Sequence, residues 1–206
     1  MDIYLVRHGQ TSGNVAKRHQ AEHTGLTKFG REQVVVAAEK IKELKPTHLL
    51  TSNLVRAIET ATIISNACGL TPETNHNFIE LRRPKHIYGR YHYSLLSLWY
   101  YSLWYLGRDT VAMDGGESYL SLRKRIKAAQ EQISTYPSDA KLVIVSHSVF
   151  INMFIAHLCS GKPLTPFRAF IIFTGMLKMP NTHIIHLSFS SSTESNNCAW
   201  SVVGND

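Results

Sequence analysis

The sequence predicts an α/β fold, a three-layer sandwich with a mostly parallel central sheet flanked by helices. Three observations predict it. Short apolar runs rich in β-branched residues, at Ile3–Val6, Thr47–Thr51 and Lys141–Val145, read as buried strands. Each is followed by a segment whose apolar residues recur at helical spacing. No linker, repeat or low-complexity segment divides the 206 residues, so one domain spanning 1–206 is the simplest count.

The first strand lies in Asp2 to Asn14, DIYLVRHGQTSGN, and ends at a glycine where the backbone can turn sharply. Thr27 is the N-cap expected for a helix over Lys28–Leu44, whose apolar face is Val34, Val35, Ala38, Ile41 and Leu44; Pro46 prevents continuation. After the strand at Thr47–Thr51, Ser52 or Asn53 is expected to cap a helix that runs through Ala67 and stops at Gly69. Glu73–Phe78 is a weaker strand, and from Glu80 to Asp114 no regular pattern emerges before the aromatic run Ser94–Leu106. Ser118–Thr135 reads as helix, and Lys141–Val145 is the clearest buried strand, followed by a helix over Val149–Leu158. Ala169–Phe173, Leu177–Met179 and His183–Phe189 read as strands joined by turns at Gly175 and Pro180-Asn181, with Trp200–Val203 as a last edge strand.

Composition narrows the partners. Hydrophobic residues make up 44%, as in a globular protein, so disorder is expected only around the serine-rich Ser190–Asn197 loop. The 22 Lys and Arg against 15 Asp and Glu give a net +7, which favours anionic partners. The basic residues are scattered, and the one tight group, Arg123, Lys124, Arg125 and Lys127, fits the solvated side of a helix. A small phosphorylated substrate is therefore expected rather than nucleic acid. Cys68, Cys159 and Cys198 are far apart and odd in number, and read as free thiols in a reducing compartment. With no basic and apolar leader at the start, the expected location is cytoplasmic. Leu142–Cys159 carries Ser146, His147, Ser148, Asn152 and His157, so it reads as a strand and a helix rather than a membrane span; Ser94–Leu106 is too short to cross one.

Chemistry concentrates at the strand ends. Arg7 and His8 leave the first strand together: an imidazole can attack phosphorus while a guanidinium neutralises its oxygens. Arg56, in SNLVRAIETA, falls in the first turn of a helix, where free amides and the dipole favour an anion. His147, in VIVSHS, sits where the most apolar strand gives way to a helix. Ligands of open α/β sheets bind beyond the carboxyl ends of the strands, so these three ends should converge.

The strings LVRHGQTxxN, SNLVRAIETA and VIVSHS resemble the histidine phosphatase superfamily, in its phosphoglycerate mutase-like branch. The resemblance implies a phosphoglycerate mutase-like fold in which His8 is phosphorylated, Arg7, Asn14, Arg56 and His147 bind the phosphoryl group, and no cofactor is needed. Ser148 stands where the family usually has Gly, and Gln10 where Glu is more frequent. The leaving alkoxide needs a proton, which a carboxylic acid whose pKa is raised by its surroundings can supply. Glu80 in FIELRR aligns with the family's acid, and Glu117 in GGES is the alternative. His183 and His186, three apart in a strand, fall on opposite faces, and His19 and His23 lack a third ligand, so no metal site is expected.

The expected activity is that of a metal-independent phosphomonoester hydrolase, acting as a histidine acid phosphatase-type phosphomonoesterase through phospho-His8. The alternatives are a phosphoglycerate mutase-type phosphotransferase and a noncatalytic protein that keeps the phosphate pocket. Residues 82–113 match the family poorly and correspond to its substrate-selecting lid. Here they hold YHYSLLSLWYYSLWYL, which suggests an apolar wall over the site or a contact in a homodimer.

Overall fold

Alternation of side chains along three strands decides the layers. In β1 (Asp2–Arg7), Ile3 and Leu5 join one core cluster while Tyr4 and Val6 join another. β4 (Lys141–Ser146) repeats the pattern with Leu142 and Ile144 against Val143 and Val145, and β2 (His48–Thr51) with Leu50 against Leu49. Both faces of these strands are therefore buried, as a parallel sheet requires. The computed structural model describes residues 1–107, 114–160, 162–190 and 198–205.

A one-turn helix, α1 (Ser12–Val15), follows β1, and one face of the sheet is covered by α2 (Lys28–Glu43) and α3 (Val55–Cys68), through Val34, Ala38 and Ile41 and through Ala57, Ala61 and Ile64. The other is covered by α5 (Tyr119–Ile133) and α6 (Ser148–Ala156), with α4 (Leu95–Tyr105) and α7 (Pro166–Lys178) packed outside them. Thr27 caps α2 by accepting from the Gly30 amide at 2.9 Å, as its position predicts. Gly69 ends α3 with φ +70°, in the left-handed region that glycine enters without strain.

Six strands form one sheet in the order β3-β2-β4-β1-β5-β6, with β3 (Pro72–Thr74), β5 (Ile184–Phe189) and β6 (Trp200–Asn205) completing it. β1 through β4 run parallel, and β5 is antiparallel to both β1 and β6. Arg7 pairs with Ser146, and both Val6 and Thr51 pair with Val145, so the carboxyl ends of β1, β2 and β4 lie level. Among the described residues no helix is long and apolar enough to cross a membrane.

Four sequence expectations need correction. Ala169–Phe173 and Leu177–Met179 are not strands but parts of α7. The β-branched and aromatic content there suggested strand, whereas Thr165, whose side chain accepts from the Arg168 amide, and Pro166 in the first turn set a helix start. Glu73–Phe78 is only a strand to Thr74, because the Asn75 side chain accepts from the Asn77 amide and starts a 3₁₀ turn over His76–Phe78. Neither Ser52 nor Asn53 is the N-cap of α3. That position is Leu54, without a side-chain hydrogen bond; the Ser52 hydroxyl accepts from the Leu54 amide at 3.2 Å, just short of the first helical amides, and lies 2.8 Å from His147 Nε2. Finally, Cys159 and Cys198 form a disulfide; Cys68 alone is free. Cys159 follows α6 and Cys198 precedes β6, and the sheet brings their Cα atoms to 5.2 Å across a separation of 39 residues. The disulfide removes the basis on which a reducing compartment was expected. The expected Ser190–Asn197 loop lies outside the described residues from 191 onward, as do positions 108–113 of the lid segment.

Candidate active site

The level strand ends deliver three side chains to one place. His8 follows β1, Ser52 follows β2 and His147 follows β4. The His8 and His147 rings lie 5.1 Å apart, centroid to centroid, both buried. Arg56, from the first turn of α3, is buried beside them. Arg7, His8, Asn14, Arg56 and Glu80 line a single cleft of about 350 Å³.

Local packing fixes the His8 loop. The Gly9 amide donates to Thr60 Oγ1 at 3.1 Å, and Thr60 Oγ1 in turn donates to the Arg56 carbonyl at 2.7 Å. A Cβ on Gly9 would meet the Gly30 carbonyl oxygen and Val34 Cγ2 at 2.7 Å, so only glycine allows the loop to press against α2. His8 Nδ1 lies 2.7 Å from the Gly9 carbonyl oxygen. A carbonyl only accepts, so Nδ1 carries the proton and Nε2 keeps its lone pair.

Electrostatics keep the imidazoles neutral. Burial, then the Arg56 and Arg7 guanidinium groups, hold His8 well below the usual histidine value. Burial and Arg56 do the same to His147. Burial lowers Arg56 to about 10, with the charge of Glu80 opposing, and it lowers Arg7 in the same way. The arginines remain cations at neutral pH.

Unused donors point to an anion. Arg7 Nε, Arg56 Nε and His147 Nδ1 are all buried without a hydrogen-bond partner. An unmatched buried donor costs about 1–3 kcal/mol, more when charged, and an anion in the cleft would satisfy the two guanidinium donors. The other sides of these groups are held: Arg7 Nη1 by the Met179 carbonyl, Arg56 Nη1 by the Ala21 carbonyl at 3.2 Å, and His147 Nε2 by Ser52 Oγ at 2.8 Å. Asn14 Oδ1 accepts from the Thr11 amide and from Asn181 Nδ2, both at 3.1 Å, which leaves the Asn14 amide group as a donor.

The two candidate acids part company. Glu80 faces the cleft with its carboxylate on the N-terminus of α6, accepting from the Phe150 amide at 3.2 Å and the Val149 amide at 3.3 Å. Glu117 is buried outside the cleft, and both its oxygens are taken by Arg125, at 2.7 and 2.8 Å. Arg125 also holds the Ile79 carbonyl at 2.8 Å, so the pair props the segment that leads to Glu80.

The structure adds residues that sequence reasoning missed. Arg83 is buried in the cleft wall, its Nε donating to the Tyr101 hydroxyl at 2.9 Å. Asn181 donates to the His8 carbonyl at 3.1 Å as well as to Asn14. His19 and His92 lie over the same cleft with Lys17 and Arg18. Burial, then Arg83 and His92, push His19 down to about 2. Arg83 follows an identical residue in a loop and Asn181 sits in a turn, so neither carries a periodic signal. Among the described residues no three His, Cys, Asp or Glu side chains gather as a metal-holding group.

Known proteins resemble this chain in sequence and fold. The family model of the histidine phosphatase superfamily (branch 1) matches residues 3–197. A probable phosphoglycerate mutase, GpmB, of Yersinia pestis is 32% identical over 162 residues, covering 77% of this chain and 74% of its own. The solved structure of a mycobacterial glucosyl-3-phosphoglycerate phosphatase, complexed with VO3, superposes with a TM-score of 0.75 at 26% identity, covering 98% of this chain and 96% of that one. A putative alpha-ribazole-5'-P phosphatase from Escherichia coli, at 20% identity, shares the fold with a TM-score of 0.76 over 98% and 94% of the two chains. The chain belongs to the histidine phosphatase superfamily, branch 1, and its chemistry is the hydrolysis or transfer of a phosphoryl group.

Proposed function

We propose that the protein is a metal-independent phosphomonoester hydrolase that acts on a small phosphorylated substrate through a phosphohistidine at His8. The observation that carries the reading is the free Nε2 of His8, set by the Nδ1–H bond to Gly9, in a cleft lined by the unpartnered Nε donors of Arg7 and Arg56, with His147 fully buried beside His8 and outside the cleft lining.

In the first step the Nε2 lone pair attacks phosphorus in line and the bond to the ester oxygen breaks. Glu80, as the acid, gives its proton to the departing alkoxide. Water then attacks phospho-His8, Glu80 takes a proton from it, the P–N bond breaks and its electron pair returns to Nε2. Arg7, Arg56 and the His147 Nδ1–H neutralise the equatorial oxygens throughout. The Ser52 oxygen already accepts from the Leu54 amide at 3.2 Å, so its hydroxyl proton is free for His147 Nε2, which leaves Nδ1 protonated as the donor. Asn14 adds an amide donor. Arg7, Arg56 and Arg83 surround the one carboxylate, Glu80, and supply the positive charge that a metal would bring while repelling a cation.

The test is hydrolysis of an aryl phosphate in chelator by the parent protein and by His8→Ala, with acid-labile phosphoenzyme trapped by rapid quench. Turnover and trapped label that vanish together in the variant support the reading; chelator-sensitive turnover that survives in His8→Ala sinks it. The similarity to a probable phosphoglycerate mutase favours phosphotransferase as the second reading. Activity that appears only after priming by a bisphosphate would select it.

A further inference from the structure

We infer that the substrate's leaving group is an apolar chain, of the alkyl or prenyl kind, seated in a groove between α4 and α7 while its phosphate lies at His8. The inference rests on the phosphomonoesterase reading above and narrows its substrate class.

The groove has a volume of about 340 Å³ and adjoins the cleft. Tyr101, Val149, Phe173 and Met176 belong to both walls, so only these side chains stand between groove and cleft, and a chain that joins the two parts the edge-on contact of Tyr101 with Phe173, whose rings lie 5.1 Å apart. Among the described residues no charged side chain lines the groove. Its polar side chains are already engaged. Tyr101 accepts from Arg83, Tyr105 donates to the Leu164 carbonyl at 2.5 Å, and Tyr119 accepts from the Leu164 amide at 3.0 Å. Ser102 donates to the Leu98 carbonyl and Trp104 to the Glu117 carbonyl. What faces an occupant is therefore mostly carbon, with the Tyr101 hydroxyl hydrogen left as a donor at the end that adjoins the cleft. A sugar or glycerate there would give up its hydration with no replacement, whereas an apolar chain gains from burial. Leu98 and Phe170 line the groove and are exposed, so its outer end stays open to a chain longer than the groove itself.

The experiment compares ethyl, hexyl and decyl phosphate as substrates, in the parent protein and in the groove variants Leu98→Glu and Ala169→Trp. Leu98 is on the surface, so its charged replacement folds. The expected kcat/KM rises with chain length, by up to about fourfold for each methylene that finds groove wall. Each variant lowers the decyl-to-ethyl ratio by at least about tenfold, since a charge or an indole takes the place of several methylene contacts. A ratio near one in the parent protein, or one that neither variant changes, overturns the inference.

Ethyl and decyl phosphonate, which cannot be hydrolysed, separate the two readings through the fluorescence of Trp99 and Trp104 on α4. Turnover of all three esters alike, with equal binding of both phosphonates, keeps the hydrolase and overturns the groove. Tighter binding of decylphosphonate with no ester hydrolysed keeps the groove and overturns the hydrolase.

Discussion

His8 Nδ1 donates to the carbonyl of its own neighbour, Gly9, across 2.7 Å, so the proposed nucleophile is aimed by the backbone of the residue that follows it. That carbonyl is itself fixed by the Gly9 amide on Thr60 and by the close approach of Gly30 and Val34. Gly9→Ala puts a methyl 2.7 Å from two of these atoms and displaces the loop. A misplacement of about 1 Å at a reacting centre costs about 10²-fold, so kcat for an aryl phosphate should fall on that order while the protein still folds. Steady-state kinetics and circular dichroism on the variant check this; parent-like kcat would show that Gly9 does not aim His8.

Glu80 and Glu117 should separate by leaving group. An aryl phosphate leaves readily without a proton, whereas an alkyl phosphate needs one. Glu80→Gln should therefore cut alkyl phosphate turnover by about 10²–10⁴-fold and aryl phosphate turnover far less. Glu117→Gln breaks a buried pair and leaves Arg125 uncompensated, which costs about 3–5 kcal/mol of stability. It should lower both turnovers alike, in proportion to folded protein. Urea titration beside the two assays reads this, and a leaving-group dependence in Glu117→Gln instead would reverse the assignment.

The sequence was most legible where a strand end carried the chemistry. His8, Arg56 and His147 each follow or flank an apolar run, and level parallel strands can only bring such positions together. Thr27, Gly69 and Ser118 likewise announce helix boundaries by local bonding that needs no tertiary context. Long-range pairing was illegible. Cys159 and Cys198 meet through the packing of α6 beside β6, Asn181 reaches Asn14 across 167 positions, and Arg83 is buried by a tyrosine 18 residues away. In α7 the local signal was present, in Thr165 and Pro166, but the β-branched content of Ile171–Thr174 outweighed it.

Buried neutral histidines make stability depend on acid. His8, His147 and His19 are depressed when folded, His19 to about 2, while in the unfolded chain each titrates near about 6.5. Above that value both states are neutral and stability is flat with respect to these groups. As pH falls below it, the unfolded chain binds protons that the folded one refuses, and each histidine removes up to about 1.4 kcal/mol per pH unit until its folded pKa is reached. Urea midpoints should drop from pH 7 to pH 5. The slope should flatten by one proton in His19→Gln, which keeps a polar group near Ser97 but does not titrate; an unchanged slope would mean that His19 is charged in the folded state.

The disulfide should support the sheet edge rather than the chemistry. It ties the segment after α6 to the start of β6, where Trp200 packs edge-on against Phe154 and tilted against Phe189. Neither cysteine lines the cleft. For a closed loop of 39 residues, chain entropy alone gives a stabilisation of up to about 4 kcal/mol. Reduction, or the pair Cys159→Ser and Cys198→Ser, should lower the urea midpoint by a corresponding amount while leaving KM for an aryl phosphate within about twofold, because the groups proposed to bind phosphate, Arg7, Arg56 and His147, sit on β1, in α3 and just after β4, not on the strand released. A shift in KM larger than the change in stability would instead tie the β6 edge to the site.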